Sequence, residues 1–344
     1  MTIRRQGKGV QVKLIVKILV LAAVLWSGYW ALTAYGIRSG LAAWFDGQRA
    51  NGWQAEYANA TTTGYPLRVT TALDQPALAD PGTGVAWQAD DLTLSAPTWW
   101  PGHVTITFPQ TPQRLSYLDQ SLDLTTTETT ASLRLKPGTQ LEVQDLSLLA
   151  GQWGVVQEGG TLFGASDLVI SAQQTERPEQ YRMNMSATGF QPGSIPRAAM
   201  RLPDSWPLVF DTLALDMTVT FDRVWDRTAL EQSRPQPRAI ALKLLEGHWG
   251  ELRLLATGAI DIDAGSMPTG QVAIKADNWR DMLALAKQSG SVSPKIIDAT
   301  EDVVGLLAKL SGNSETLDVE LGLRDGYIFL GPVPVGPAPR FFLR

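Results

Sequence analysis

Apolar and polar residues alternate with a period of two along much of this chain. In HVTITF, Val104, Ile106 and Phe108 are separated by threonines. In LALDMTVTF, Leu213, Leu215, Met217, Val219 and Phe221 fall on one side, and LDVELGL does the same with Leu317, Val319, Leu321 and Leu323. Such alternation predicts strands with one apolar and one wet face. Antiparallel sheets accommodate that arrangement, whereas parallel sheets are usually covered on both faces.

Two stretches follow the helical period instead. DNWRDMLALAKQSG places Trp279, Met282, Leu283 and Ala286 on one face, with Asp277 or Asn278 as N-cap and Gly290 as the stop. SPKIIDATEDVVGLLAKLSG opens on Ser293 and Pro294 and closes on Gly312. Together they predict a helical hairpin near residues 277–312. A shorter helix is expected between Asp222 and Ser233. Pro and Gly occur in turn-sized clusters and no long linker divides the chain. The expected fold is mainly β with a helical insert: one elongated, curved antiparallel sheet over residues 53–344.

The pattern L-x-L-L-x-G-x-W-G occurs at Leu146–Gly154 and again at Leu242–Gly250. Each copy is expected to be a β-hairpin corner. Gly151 and Gly247 would supply positive φ, and Trp153 and Trp249 would open the returning strand. Gln152 stands in the first copy where His248 stands in the second, so the motif is complete without histidine.

The first 45 residues differ from the rest. Arg4, Arg5, Lys8, Lys13 and Lys17 precede any acid. Ile18–Tyr35 then carries no charge, and eighteen helical residues rise roughly 27 Å, close to the ~30 Å hydrocarbon core. Trp26, Tyr29, Trp30 and Tyr35 gather toward the far end, as in an aromatic belt. This predicts a cytoplasmic basic segment over 1–17, an inner-membrane span over 18–35, and a short helix over 36–52 leaving the membrane. Leu41, Trp44 and Phe45 share a face of that short helix. Residues 53–344 would then be periplasmic. A cleaved signal peptide is the alternative, although its apolar stretch is normally shorter and Leu32 spoils a small-x-small site at Ala34.

Composition narrows the chemistry. The chain has 344 residues, a net charge of -5 and no cysteine. It lacks the basic stripe that nucleic acid requires. With His103 and His248 as the only imidazoles, a zinc site would need carboxylates to complete it. Both histidines follow a glycine at a strand start and read as solvated turn residues. There is no G-x-S-x-G, no P-loop and no G-x-G-x-x-G after a strand. Asp90 and Asp91 are adjacent, so strand alternation points them to opposite faces. Neither catalysis, nor a metal, nor a cofactor is expected. Trp99 and Trp100 in TWWPGH read either as corner packing or as an interfacial anchor.

FDTLALDMTVTFDRVWDR, GHWGELRLLATGAIDID, ADNWRDMLALA and LGPVPVGPAPR resemble an alphaproteobacterial domain-of-unknown-function family, number 2125. That resemblance implies no activity and no functional residues. The C-terminal G-Y-x-x-L-G-P-V-P-V-G-P-A-P, residues 326–339, is similar to AsmA-like envelope proteins. It implies an N-terminal helical anchor, curved sheets with an apolar inner groove, and a link to lipid transport and outer-membrane assembly.

Two functions compete. The first is an anchored lipid-binding or lipid-shuttling protein whose apolar sheet face takes membrane lipid, with Val104, Ile106, Phe108, Leu213, Leu215, Met217, Val219 and Phe221 as candidate lipid-facing residues. The second is an anchored interaction or scaffold module for envelope assembly, which recruits envelope proteins to exposed strand edges. Both share one topology. A reporter active only outside the cytoplasm, fused after Arg344, is expected to be active. The full-length protein should resist alkaline extraction. Neutralising Arg4, Arg5, Lys8, Lys13 and Lys17 together should scramble orientation, because this bias sets direction. Release of a shortened soluble chain would show a signal peptide instead.

Overall fold

The computed structural model describes residues 8–231, 233–290, 297, 301, 305 and 315–343. The first element is a single helix, α1 (Lys8–Ala50), which joins the apolar segment and the expected exit helix without a break. Gly36, Gly40 and Gly47 interrupt neither. Each costs about 1 kcal/mol relative to alanine, but only proline would also remove a backbone donor. Short helices α2 (Ser194–Ala199) and α3 (Thr228–Glu231) follow, then α4 (Trp279–Ser289).

The predicted strands are present, at His103–Thr107, Thr212–Phe221 and Thr316–Arg324. Among the described residues the strands form two antiparallel sheets, one of fifteen strands and one of eight. The chain moves between them in a regular way. Arg68–Asp74 in the large sheet continues past Gln75-Pro76 as Ala77–Asp80 in the small one. Its antiparallel neighbour makes the return trip, from Val85–Gln88 in the small sheet to Asp91–Pro97 in the large one. Each neighbouring pair of strands is thus creased at a shared level. Hydrogen bonds are kept across the crease, from Gln75 N–H to Asp90 O (2.8 Å) and from Ala89 N–H to Pro76 O (3.1 Å). The small side chains of Ala89, Ala150 and Ala165 are buried there. After Gln191–Pro192 the chain stays in the large sheet, which ends at Tyr327–Leu330 and Val333–Pro337.

The repeated motif is two different objects. In the first copy Val143–Ala150 belongs to the large sheet and Trp153–Gln157 to the small one, so Gly151-Gln152 is a crease and not a hairpin. In the second copy the strand Pro237–Trp249 runs straight through Gly247, and the hairpin turns at Gly250 (φ 62°) and Glu251. Neither Gly151 nor Gly247 has positive φ. Gly151 is required for closeness: its N–H donates to Thr127 O at 2.9 Å, and a Cβ there would sit 3.0 Å from the same oxygen.

The predicted helix after Asp277 is confirmed as α4, stopped by Gly290 in the left-handed region. Asn278 also takes a left-handed conformation at its start, but its amide donates to Glu251 O at 2.7 Å instead of capping the helix. The second helix of the expected hairpin falls almost wholly outside the described residues.

The two glycines of the motif therefore respond differently to alanine. Gly151→Ala is expected to destabilise the full chain by about 1–3 kcal/mol, because the added methyl overpacks the crease. Gly247→Ala meets no atom within 4 Å and is expected to be neutral or stabilising by up to about 1 kcal/mol. Urea unfolding of both variants in detergent checks the order, which two identical hairpin corners would not produce.

Candidate functional site

The large sheet carries apolar residues in line from strand to strand. Directly opposed residues in adjacent strands lie on one face. Leu94 opposes Ile106, which opposes Ala131, then Leu148, Ile170 and Met185. The line continues through Leu215, Leu245, Ala256 and Ile274 to Val319. A second line runs beside it from Val104 through Leu133, Leu146, Ala172, Met183 and Met217. It passes Leu242, Gly258 and Val272 and ends at Leu321 and Leu330. The interleaved residues point to the other face and are polar: Ser95, Thr105, Ser132, Ser147, Ser171, Asn184 and Asp216.

One irregularity keeps both lines intact. Leu242 and Leu245 are three residues apart, so a regular strand would point them to opposite faces. The ladder to Leu252–Ile262 skips Lys243 and Leu244, and the bulge returns Leu242 and Leu245 to one face.

Among the described residues, the face is covered at its ends and open between them. At the end nearest α1, Phe45 and Ala55 are buried with Leu73, beside Leu41, Trp44, Leu78, Leu92 and Leu94. Leu78 belongs to the small sheet, where it lines up with Trp87, Leu115 and Leu122, so the two sheets meet through apolar faces. At the far end α4 lays Trp279, Met282 and Leu283 over Leu254, Ala276, Leu317 and Val319. Between these ends the side chains are half-buried, and Leu146 and Ile170 are 46% and 36% exposed. A cavity of about 300 Å³ opens under α4, lined by Phe210, Leu213, Leu245, Trp249, Leu254 and Met282. The Phe210 ring stacks on Trp249 at 4.8 Å and meets Phe190 edge-on at 5.3 Å, which carries the apolar lining to Trp153 at the crease. A groove of about 560 Å³ lies between α1 and the first strands, bounded by Trp30, Ala34, Tyr35, Arg38, Tyr57 and Ala60.

The candidate lipid-facing residues divide. Val104, Ile106, Leu215 and Met217 are in the two lines, and Leu213 lines the cavity. Phe108 sits at the crease, where its N–H donates to Thr129 O at 3.0 Å. Val219 and Phe221 do not front an open face: they are each 5% exposed, packed with Tyr181, Met183, Trp225 and Ile240. Tyr181 comes from the neighbouring strand and Trp225 from the loop after Phe221, which is why alternation within one strand could not reveal the closure. Leu133, Leu146, Ile170 and Met185 join the same two lines, which the alternation of their own strands could not show without the register.

The histidines lie apart from this face. His248 is on the polar side, with Nδ1 3.7 Å from Asp211 Oδ2. His103 Nε2 is 3.4 Å from the Ser132 hydroxyl. No group of three His, Asp or Glu side chains among the described residues could hold a metal ion.

These features define a class: a β-rich domain carried on one helix long and apolar enough to cross a membrane, with an apolar sheet face left partly open. The chain belongs to the family described as uncharacterized protein conserved in bacteria (DUF2125), whose model matches residues 30–339. The match begins within α1 and takes in both sheets. No curated protein matches the chain.

The packed rim at Tyr181 offers a pH readout of this closure. The Tyr181 hydroxyl donates to Val143 O at 2.7 Å, and Glu142 nearby is ion-paired with Lys136. Burial, reinforced by the Glu142 carboxylate, pushes the phenol up to about 12. An unfolded tyrosine ionises near 10. Between these values the unfolded state binds fewer protons than the native one, so stability falls as pH rises. Tyr181→Phe should cost about 1 kcal/mol at neutral pH through the lost hydrogen bond. The gap between wild type and variant should narrow from pH 10 to 12, as read by urea unfolding across that range.

Proposed function

We propose that this protein is a single-pass, inner-membrane-anchored envelope protein with a periplasmic domain, and that its large sheet binds membrane lipid without catalysis. The observation that supports this best is the pair of unbroken apolar lines, half-buried across the middle strands. A face meant only for a closed core would have its middle residues buried as completely as Val69 and Leu73, which are each 1% exposed. Apolar area of this extent, with a polar reverse face, suits acyl chains.

The anchor reading has its own support. The most apolar window of α1 is 0% buried, unlike the core helix of a soluble protein. The same helix is built into the domain through Phe45, so removal of a signal peptide near Ala34 would cut an element the fold uses. The basic residues before Ile18 favour a cytoplasmic start. The scaffold alternative needs a free strand edge. At the far edge, Val333–Pro337, Pro334 and Pro337 lack N–H donors, which disfavours an added strand.

Mass spectrometry of lipids extracted from the purified protein is expected to find phospholipid in stoichiometric amount. Leu146→Asp and Ile170→Asp lie on the exposed part of the face. They should change stability by no more than about 0.5 kcal/mol, yet together lower lipid recovery several-fold. A lipid-free preparation that also takes up no added phospholipid would overturn the proposal.

A further inference from the structure

Two turns of the large sheet stand beside α1 and differ from the other turns along the same rim. Gly64–Leu67 exposes Tyr65 and Leu67, and Thr98–Gly102 exposes Trp99, at 56%, 60% and 63%. The turns are tied to each other. The buried Thr98 donates its hydroxyl to Pro66 O at 3.1 Å and its N–H to Leu67 O at 3.0 Å. They are also tied to α1. The Trp26 indole donates to Pro66 O at 2.9 Å and the Trp30 indole to Arg68 O at 2.7 Å. Ser27 and Tyr65 share a hydroxyl hydrogen bond of 2.8 Å, and the Trp30 and Tyr65 rings meet edge-on at 5.5 Å. Farther along the rim, the next turn sets Leu141 between Lys136 and Glu142, and the one after holds Glu176, Arg177 and Glu179.

These contacts place both turns level with Trp26–Trp30. A turn facing lipid cannot lie in the hydrocarbon core, because its backbone groups would lack partners. Tyrosine and tryptophan concentrate instead at the membrane–water interface, where the ring is half apolar and the N–H or O–H finds an acceptor. With α1 read as the membrane span, we infer that the Gly64–Leu67 and Thr98–Gly102 turns dock the rim of the sheet onto the bilayer surface, with Tyr65, Leu67 and Trp99 in the interface. The partner is the lipid surface itself, continuous with the span. Exposed Arg68, beside Leu67, stands where lipid phosphates lie. The outer boundary of the span is then Trp26–Trp30 and not Tyr35. From Lys13 to Trp30 the helix rises about 26 Å, near the ~30 Å core, and Lys13 and Lys17 snorkel to the inner side.

The chain has no cysteine, so each introduced one is unique. Leu25→Cys, Leu67→Cys, Trp99→Cys and Glu176→Cys are labelled with an environment-sensitive fluorophore in the full-length protein, reconstituted in phosphatidylcholine vesicles. Shallow spin-labelled lipids should quench the labels at 67 and 99 several-fold more than the label at 176, with blue-shifted emission. Aqueous iodide should show the reverse order. Labels at 67 and 99 that behave like the one at 176, while Leu25→Cys is quenched by lipid, overturn the docking and leave the anchor standing. Absence of lipid quenching at Leu25→Cys as well overturns both.

Discussion

Everything in this structure depends on register. A β-strand has a side-chain period of two, so a slip of one residue at any ladder would move an entire apolar set to the polar face. Here the set passes from the strand Asp91–Pro97 to the strand Thr316–Arg324, and each ladder inherits the alignment of the one before it. Where the sequence would break the inheritance, between Leu242 and Leu245, a bulge repairs it. The charged residue skipped, Lys243, is thereby kept off the apolar side. Hydrophobic burial of the clusters at the two ends fixes the outer ladders, and the middle is held by the backbone bonds between them and by the rim cluster of Tyr181, Val219 and Phe221.

The strands were legible because alternation is a local property. HVTITF, LALDMTVTF and LDVELGL each announce a strand, and α4 announces itself through Trp279, Met282 and its terminal Gly290. The crease was not legible. Gly151-Gln152 reads as an ordinary turn, and a turn of this kind looks the same whether the chain reverses or changes sheet. The difference lies in which distant strand each side pairs with. The repeated L-x-L-L-x-G-x-W-G shows the cost of local reading: the same nine-residue pattern makes a crease in one place and the end of a long strand in another. Of the site, single strands were visible and the lines across them were not. The burial of Val219 and Phe221 was not legible in their own strand either, because Tyr181 from the neighbouring strand and Trp225 from the loop after Phe221 close over them.

The polar reverse face has a role in this arrangement. Serine, threonine and asparagine stand opposite one another on neighbouring strands, with Arg182 and Asp216 ion-paired among them. That pairing holds the aspartate below its ordinary range through the guanidinium hydrogen bond. A sheet so unequal on its two sides has a defined inside even where no described residue covers it, which makes the direction of its apolar face a property of the sequence.

The helix α1 is fastened to the domain twice, by the indoles of Trp26 and Trp30 and again by Phe45 in the first core cluster. From Trp26 to Phe45 the rise is about 28 Å. A rod clamped at two points that far apart has no pivot between them. A tether with a hinge could ferry cargo by swinging from one surface to another. A clamped rod can only hold its load at a fixed height and tilt. On the proposed lipid-binding reading, a lipid on this face would therefore move by its own diffusion, or be handed on by another protein, and not by a swing of the domain.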